Sequence, residues 1–362
     1  MPLERLDLMG LRNLADLSVR PSPAINLISG HNGAGKTSVL EGLHVLGLAR
    51  SFRTRQLKNA IHFEREKLVL FGQLAGDPPV PIGLARQRDA ESPEIRLAGS
   101  SLTRLSELAH WLPMQLINAD TFRLLEGAPK ARREYLDWGV FHTQPAFMAC
   151  WQQVRTALKQ RNALLRPRHD RIDPLMLRTW NHELAQAAER LDAMRQAYVE
   201  ALSPLFDRIL GDLTSLPTLS LSYQRGWDRQ RSLHDVLDEH FETDRQMGFT
   251  QAGPQRADLK LRIHRRAAQE VLSRGQQKMV VSALKLAQGQ LLEQHTDRHC
   301  IYLIDDLAAE LDLEHRQRFC AQLEAQQSQA FMTVIDESTL GYDWRSDTSV
   351  SHFRLKDGQL ET

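Results

Sequence analysis

Eight residues near the start of the chain, Gly30-His31-Asn32-Gly33-Ala34-Gly35-Lys36-Thr37, match GxxxxGK[ST] in full. The apolar run Ala24-Ile25-Asn26-Leu27-Ile28-Ser29 precedes them and reads as a buried strand, and Ser38-Val39-Leu40-Glu41-Gly42-Leu43 continues as a helix. Glycines let such a loop wrap so that its N–H groups face phosphate oxygens, and the helix N-terminus adds positive potential. The run Gly30, His31, Asn32, Gly33, Ala34, Gly35, Lys36, Thr37, Ser38 is therefore the candidate ATP-binding loop. Lys36 is expected to reach the β and γ phosphates, and the Thr37 hydroxyl to bind Mg²⁺.

A second apolar strand, Cys300-Ile301-Tyr302-Leu303-Ile304, ends in Asp305-Asp306. A carboxylate at the C-terminal end of a strand beside a phosphate loop can hold Mg²⁺, which is the role expected of Asp305. Asp306 is the candidate to polarise an attacking water, so Lys36, Asp305 and Asp306 form the expected catalytic set. An acidic strand end that merely starts a turn is the plain alternative. Between these motifs lies Leu272-Ser273-Arg274-Gly275-Gln276-Gln277-Lys278, heading a helix over 276–292. Seen alone it is a capped helix start, with Ser273 as N-cap and Gln276 at N3. That plain reading carries more weight than the other, in which the turn presents small donors to a γ-phosphate.

The pattern around the motifs divides the chain. Lys67 to Leu74, Ile82 to Ala85, Ile95 to Leu97 and Met114 to Ile117 are strand candidates; Gly76-Asp77-Pro78-Pro79 and Gly99-Ser100 are turns. From Pro145 to about Leu210 glycines are few. Trp151, Val154, Leu158 and Leu165, then Leu177, Trp180, Leu184, Ala187, Leu191, Met194, Tyr198 and Leu202, recur at helical spacing. Two helices joined by the basic stretch Pro167–Pro174 are expected to lie antiparallel. Past residue 292, Ala330–Ile335 reads as a strand and His352–Leu355 with Gln359-Leu360 as a hairpin about Asp357-Gly358. The expected fold is α/β: a head lobe of 1–117 plus 293–362, interrupted by a largely helical lobe of 118–292 with hairpin 146–205 and the 272–278 motif.

Composition narrows the class of partner. The 362 residues carry 46 Lys and Arg against 45 Asp and Glu, so any polyanion site must be a local patch. Three scattered cysteines give neither a disulfide framework nor a zinc spacing. The start shows no signal peptide and no run approaches the ~18 apolar residues of a membrane span. The expectation is a cytoplasmic protein without a membrane partner.

Phosphate loop, Ser-Arg-Gly-Gln turn and apolar strand ending in two aspartates, in that order, resemble the ABC-type ATPases. That resemblance implies that Ser273, Arg274, Gly275 and Gln276 act in trans on a nucleotide held by a second copy. It also implies a D-loop at Glu310-Leu311-Asp312, with Glu310 and Asp312 as its polar members. Longer stretches resemble the RecF family of bacterial recombinational-repair proteins over essentially the whole chain. They are Leu11-Arg12-Asn13, Arg50-Ser51-Phe52-Arg53, Asp120-Thr121-Phe122-Arg123-Leu124-Leu125-Glu126-Gly127-Ala128-Pro129-Lys130-Ala131-Arg132-Arg133-Glu134-Tyr135-Leu136-Asp137 and Gly253-Pro254-Gln255-Arg256-Ala257-Asp258-Leu259. Two positions depart from the family: Ala119 replaces a usual Pro, and Gln255 a usual His.

The family resemblance implies an ABC-ATPase-like head related to SMC-type ATPases, with the coiled coil cut to a short hairpin. It implies Mg²⁺ and ATP as cofactors, ATP-dependent homodimerisation, and binding to single-stranded or gapped DNA and its junctions with duplex. It further implies RecO and RecR as partners, RecA loading, support of replication and SOS induction, and slow, DNA-stimulated hydrolysis. Arg50, Arg53 and Arg55 with Lys58, then Lys130, Arg132 and Arg133, are local basic clusters that can track a phosphate backbone. Lys159, Arg161, Arg166, Arg168 and Arg171 form a third. For each, a solvated ion-paired face is the alternative reading. The rival functions are a transporter ATPase subunit and a small-molecule kinase. Against the transporter stand Arg274 in the signature, the long helical insert, and Asp336-Glu337-Ser338 where a switch histidine is expected.

Overall fold

The computed structural model describes residues 1–166 and 172–361. Most of the basic turn expected at 167–174, with Arg168 and Arg171, lies outside the described residues. The chain forms two compact units: Met1–Arg123 with Arg208–Ser215 and Arg274–Thr362, and Leu124–Asp207 with Leu216–Ser273. The segment 274–292, read from sequence with the second lobe, thus lies in the first unit. Side-chain bonds tie it there: on the helix Arg274–Thr296, Gln288 accepts from Gln115 Nε2 (2.9 Å) and Lys285 donates to Gln115 Oε1 (2.7 Å).

Among the described residues the first unit holds two six-stranded sheets. One runs in the order Gln359–Leu360, Val350–Lys356, Ile25–Ser29, Ala330–Thr333, Ile301–Ile304 and Met114–Ile117. Every pair but the closing hairpin is parallel. Ile25–Ser29, Ala330–Thr333 and Ile301–Ile304 are buried at every position, as parallel strands covered on both faces must be. The second sheet is antiparallel, ordered Leu17–Val19, Leu3–Met9, Lys67–Leu74, Val80–Gln87, Glu94–Leu97 and Ser100–Ser101. Lys67–Leu74 alternates inward and outward residues, the mark of a sheet with one solvated face. The helix Lys36–Leu48 touches strands of both sheets and buries Val39, Leu40, Leu43, Val45 and Leu46 in one continuous core.

The closing hairpin buttresses the phosphate loop. Asp357 and Gly358 both take positive φ (48° and 79°), the geometry a two-residue turn between twisted strands demands. Gly358 N–H then donates to Ala34 O, while Gly358 O accepts from Ala15 N–H, each at 3.0 Å. The hairpin strand also lies so close to Gly30 (φ 144°) that a Cβ there would sit 2.3 Å from Leu355 O. Only glycine fits at Gly30.

In the second unit the expected helical hairpin forms, from Phe147–Leu165 and the helix Pro174–Leu213 up to Asp207, its last residue in this unit. Cys150 Sγ donates to Ala187 O (3.1 Å), and Arg161 Nε to Asn181 Oδ1 (2.7 Å), so the contacts run oppositely along the two helices. The buried stripe of the first helix is Phe147, Cys150, Val154, Ala157, Arg161 and Leu165. Arg161 therefore departs from the reading of a surface basic cluster. It is fully buried, bonded to Asn181, Asp244 Oδ2, Thr250 Oγ1 and Leu237 O. Helical spacing shows that a residue faces inward but not that an arginine will find an aspartate there.

The segment Gly253–Leu259 is a structural turn in the same unit. Pro254–Arg256 form one 3₁₀ turn, and Asp258 opens a strand, Asp258–Ile263, paired with Leu219–Gln224. Asp258 takes two bonds from Arg132, Nε at 2.8 Å and Nη2 at 3.1 Å, and Arg133 donates to Ala257 O (2.9 Å). Burial works against the Asp258 charge, but the bonds from Arg132 and Lys260 outweigh it and hold its pKa below the usual carboxylate value.

Candidate nucleotide site

The phosphate loop opens into a cavity of about 890 Å³ in the first unit. Lys36 lines it, its ammonium donating to the carbonyls of Gly30 (2.5 Å) and His31 (3.0 Å). Desolvation lowers its pKa despite the attraction of Asp306 and Asp305. The first-turn N–H groups of the helix Lys36–Leu48 have no intrahelical acceptor, which suits an anion in front of them.

Parallel pairing delivers the acids to the same place. Asp305 follows Ile304, whose strand runs beside Ala330–Thr333, and that strand runs beside Ile25–Ser29, which leads into the loop. Thr37 Oγ1 donates to Asp305 Oδ1 at 3.0 Å, so two residues far apart in sequence meet beside the loop. Asp306, exposed and at φ 52° and ψ 50°, lines the cavity beside them. Among the described residues no group of three or more His, Cys, Asp or Glu could hold a metal alone. A Thr hydroxyl and one carboxylate oxygen instead suit Mg²⁺, which takes one or two protein oxygens and completes its shell with phosphate and water. The donors present fit that ion and a triphosphate.

Three contributions escaped the motif reading. Arg12 and Asn13 had entered only as family-like residues, yet both line the cavity. Asn13 Nδ2 donates to Gly33 O (3.0 Å), and Ser38 Oγ donates to Asn13 Oδ1 (3.2 Å). Arg12 forks onto the buried Glu41 through Nε (2.8 Å) and Nη2 (2.7 Å), and its Nη1 donates to Asn59 O (2.7 Å). Hydrogen bonding to Glu41 raises the Arg12 pKa further. His62 and Phe63 form a stacked pair, centroids 4.6 Å apart and planes at 26°, on the cavity wall; Phe63 is 82% exposed. Thr333 lies at the strand end against both aspartates. The one signal available for these was the short run Leu11-Arg12-Asn13.

The remaining expected residues lie elsewhere or do other work. Ser273, Arg274, Gly275 and Gln276 are exposed at the start of the helix Arg274–Thr296, and none of them lines the cavity. Glu310 pairs with Lys278 Nζ (2.6 Å), and Asp312 caps the helix Leu313–Ala325 by accepting from His315 N–H (3.0 Å). Of the basic candidates, Arg50, Arg55 and Lys130 are exposed. Arg53 lines the cavity and pairs with Glu41 (3.3 Å), while Arg132 is spent on Asp258.

Known proteins place the chain in a family. Residues 2–352 match the family model described as the RecF/RecN/SMC N terminal domain. A protein of Chromohalobacter salexigens called DNA replication and repair protein RecF is 58% identical, with all of both chains covered. Its namesake in Pseudomonas aeruginosa is 48% identical over 99% of this chain and 97% of its own. In fold the chain is similar to the recombination mediator protein RecF solved with ATP, at 23% identity and TM-score 0.85 over 99% of this chain and 97% of that one. It is also similar to an Smc head bound to a domain of ScpA, at 14% identity and TM-score 0.59, covering 100% and 96% of the two chains. An ABC-ATPase head with a helical insert, carrying this cavity and matched end to end at such identity, establishes that the chain belongs to the RecF family of DNA replication and repair proteins.

Proposed function

We propose that this chain binds Mg·ATP in the cavity at Lys36 and dimerises around it, and that the dimer grips DNA. The observation carrying this reading is the separation of the motifs. Phosphate loop and carboxylates share one cavity, whereas Arg274, Gly275 and Gln276 are exposed outside its lining. Donors that do not serve their own chain's loop are suited to cap a γ-phosphate held by a second copy. Lys36 bears on the β and γ phosphates, Thr37 and Asp305 hold Mg²⁺, and Asp306 orients water. Bound Mg²⁺ supplies neutralisation of phosphate charge. Ser273 through Gln276, with Glu310 and Asp312, act across the interface. Hydrolysis is slow and DNA-stimulated, so ATP gates association.

The DNA partner is single-stranded or gapped, with its duplex junctions, and is met through phosphates by Arg50, Arg55 and Lys130. Arg53, at the cavity, is better suited to the nucleotide than to DNA. The proposal extends to RecO and RecR as partners, RecA loading, SOS induction and a cytoplasmic site, and family membership supports it. Among the described residues no helix is long and apolar enough to cross a membrane, and full-length relatives named for repair disfavour a transporter subunit.

Sedimentation velocity with and without Mg·ATP and gapped DNA tests the proposal. The expected result is a monomer that becomes a dimer with Mg·ATP, stays monomeric as Lys36→Met or Ser273→Arg, and is trapped as a dimer in Asp306→Asn. A chain that stays single at saturating Mg·ATP with gapped DNA overturns it. A log–log salt slope near zero for DNA binding removes the phosphate contacts.

A further inference from the structure

The hydroxyl of Thr333 makes two bonds of opposite sense in the lining of the cavity. It donates to Asp305 Oδ1 at 2.8 Å and accepts from Asp306 N–H at 2.8 Å. The same Asp305 oxygen accepts from Thr37 Oγ1 at 3.0 Å. One carboxylate oxygen is therefore held between two threonine hydroxyls, one from the phosphate loop and one from the neighbouring strand.

The second bond falls on a residue in the left-handed region. Asp306 sits at φ 52° and ψ 50°, a left-handed conformation uncommon for residues with a Cβ, although aspartate enters it more readily than most. Such outliers persist where their surroundings fix them, and they concentrate at functional sites. Thr333 is 1% exposed and lies one residue past Met332, which is directly paired with Ile304. Its side chain thus faces the chain just where Ile304 gives way to the two acids. A threonine needing only to satisfy a buried hydroxyl could do so with one carbonyl. This one bridges the side chain of one acid and the main chain of the next.

We infer that Thr333 is a positioning residue. Its hydroxyl sets which Asp305 lone pairs face the ion beside Thr37, and it fixes the left-handed turn that carries Asp306 into the cavity. The inference rests on the Mg·ATP reading above and adds to it a group supplied by the strand after the carboxylates. Residues that orient a metal-binding carboxylate typically change metal affinity by about 10–100-fold when lost.

The test compares Thr333→Val, which keeps the branched shape without the hydroxyl, with Thr333→Ser, which keeps the hydroxyl without the methyl. Binding of a fluorescent ATP analogue is followed during Mg²⁺ titration and in EDTA, beside thermal melts. The expected result is a Mg²⁺ midpoint raised at least about tenfold in Thr333→Val, unchanged nucleotide binding in EDTA, and restoration in Thr333→Ser. A wild-type midpoint in Thr333→Val overturns the inference. So does an equal loss in both variants, or a loss in EDTA as large as in Mg²⁺, since either assigns Thr333 to packing alone. Wild-type protein that binds no nucleotide overturns the Mg·ATP reading, and this inference with it.

Discussion

Arg12 and Glu41 are joined by two parallel hydrogen bonds of 2.8 and 2.7 Å, and the Glu41 carboxylate is fully buried. Glu41 sits on the helix that begins at Lys36, and Arg12 on the turn after the strand Leu3–Met9. Ser51 Oγ (2.5 Å) and Arg53 Nη1 (3.3 Å) donate to the same carboxylate. One acid therefore gathers two arginines and a serine at the edge of the nucleotide cavity.

Removing that acid leaves a partly buried guanidinium without its counter-charge. Glu41→Ala is expected to destabilise the protein by about 3 kcal/mol, the range found when one partner of a buried pair is deleted. Urea denaturation with coincident fluorescence and circular dichroism measures it. A loss below about 1 kcal/mol would mean that water replaces Glu41 at no cost.

The exposed ring of Phe63, backed by His62, offers a π face on the wall of the phosphate cavity. Stacking of a base on an aromatic is worth about 1–3 kcal/mol by alanine substitution. Phe63→Ala is expected to weaken ATP binding by roughly five- to a hundredfold and to leave inorganic tripolyphosphate binding unchanged. Calorimetric titration of both ligands decides; equal weakening of the two would locate the base elsewhere.

Lys285 donates to Gln115 Oε1, and burial pulls its pKa from 10.5 down to about 8. Between those values the unfolded chain binds a proton that the folded chain releases, so stability rises with pH through this window. Below about pH 8 the lysine is protonated in both states and the cost of burying its charge is carried in full. Lys285→Met is expected to flatten the stability-against-pH curve between pH 8 and 10 relative to wild type. Urea midpoints at unit pH intervals check it; parallel curves would refute it.

Arg161 is buried among the hairpin helices and bonds Asp244, itself fully buried. Arg161→Met is expected to cost about 3–5 kcal/mol because it strands the Asp244 charge. Adding Asp244→Asn should recover part of that loss. A double-mutant cycle with no coupling would show that the two act independently.

Much of the first unit was legible because its signals are local. The phosphate loop, the strands Lys67–Leu74 and Met114–Ile117, and the Asp357-Gly358 turn are each written within about ten residues. What joins distant segments was not. The strand Leu3–Met9 pairs with Lys67–Leu74 across a long separation, and a run as mixed as Leu-Glu-Arg-Leu-Asp-Leu-Met fits helix or strand equally by period. Arg12, Thr333, Arg132 and Arg161 are polar residues whose purpose lies in partners brought by the fold. Sequence spacing marks them only as charges or hydroxyls.

The hairpin that braces the phosphate loop at Ala34 and Gly30 also holds Ala15 through Gly358 O. A change at the Asp357-Gly358 turn is thereby felt at the phosphate loop, since Gly358 N–H is the donor that holds Ala34 O.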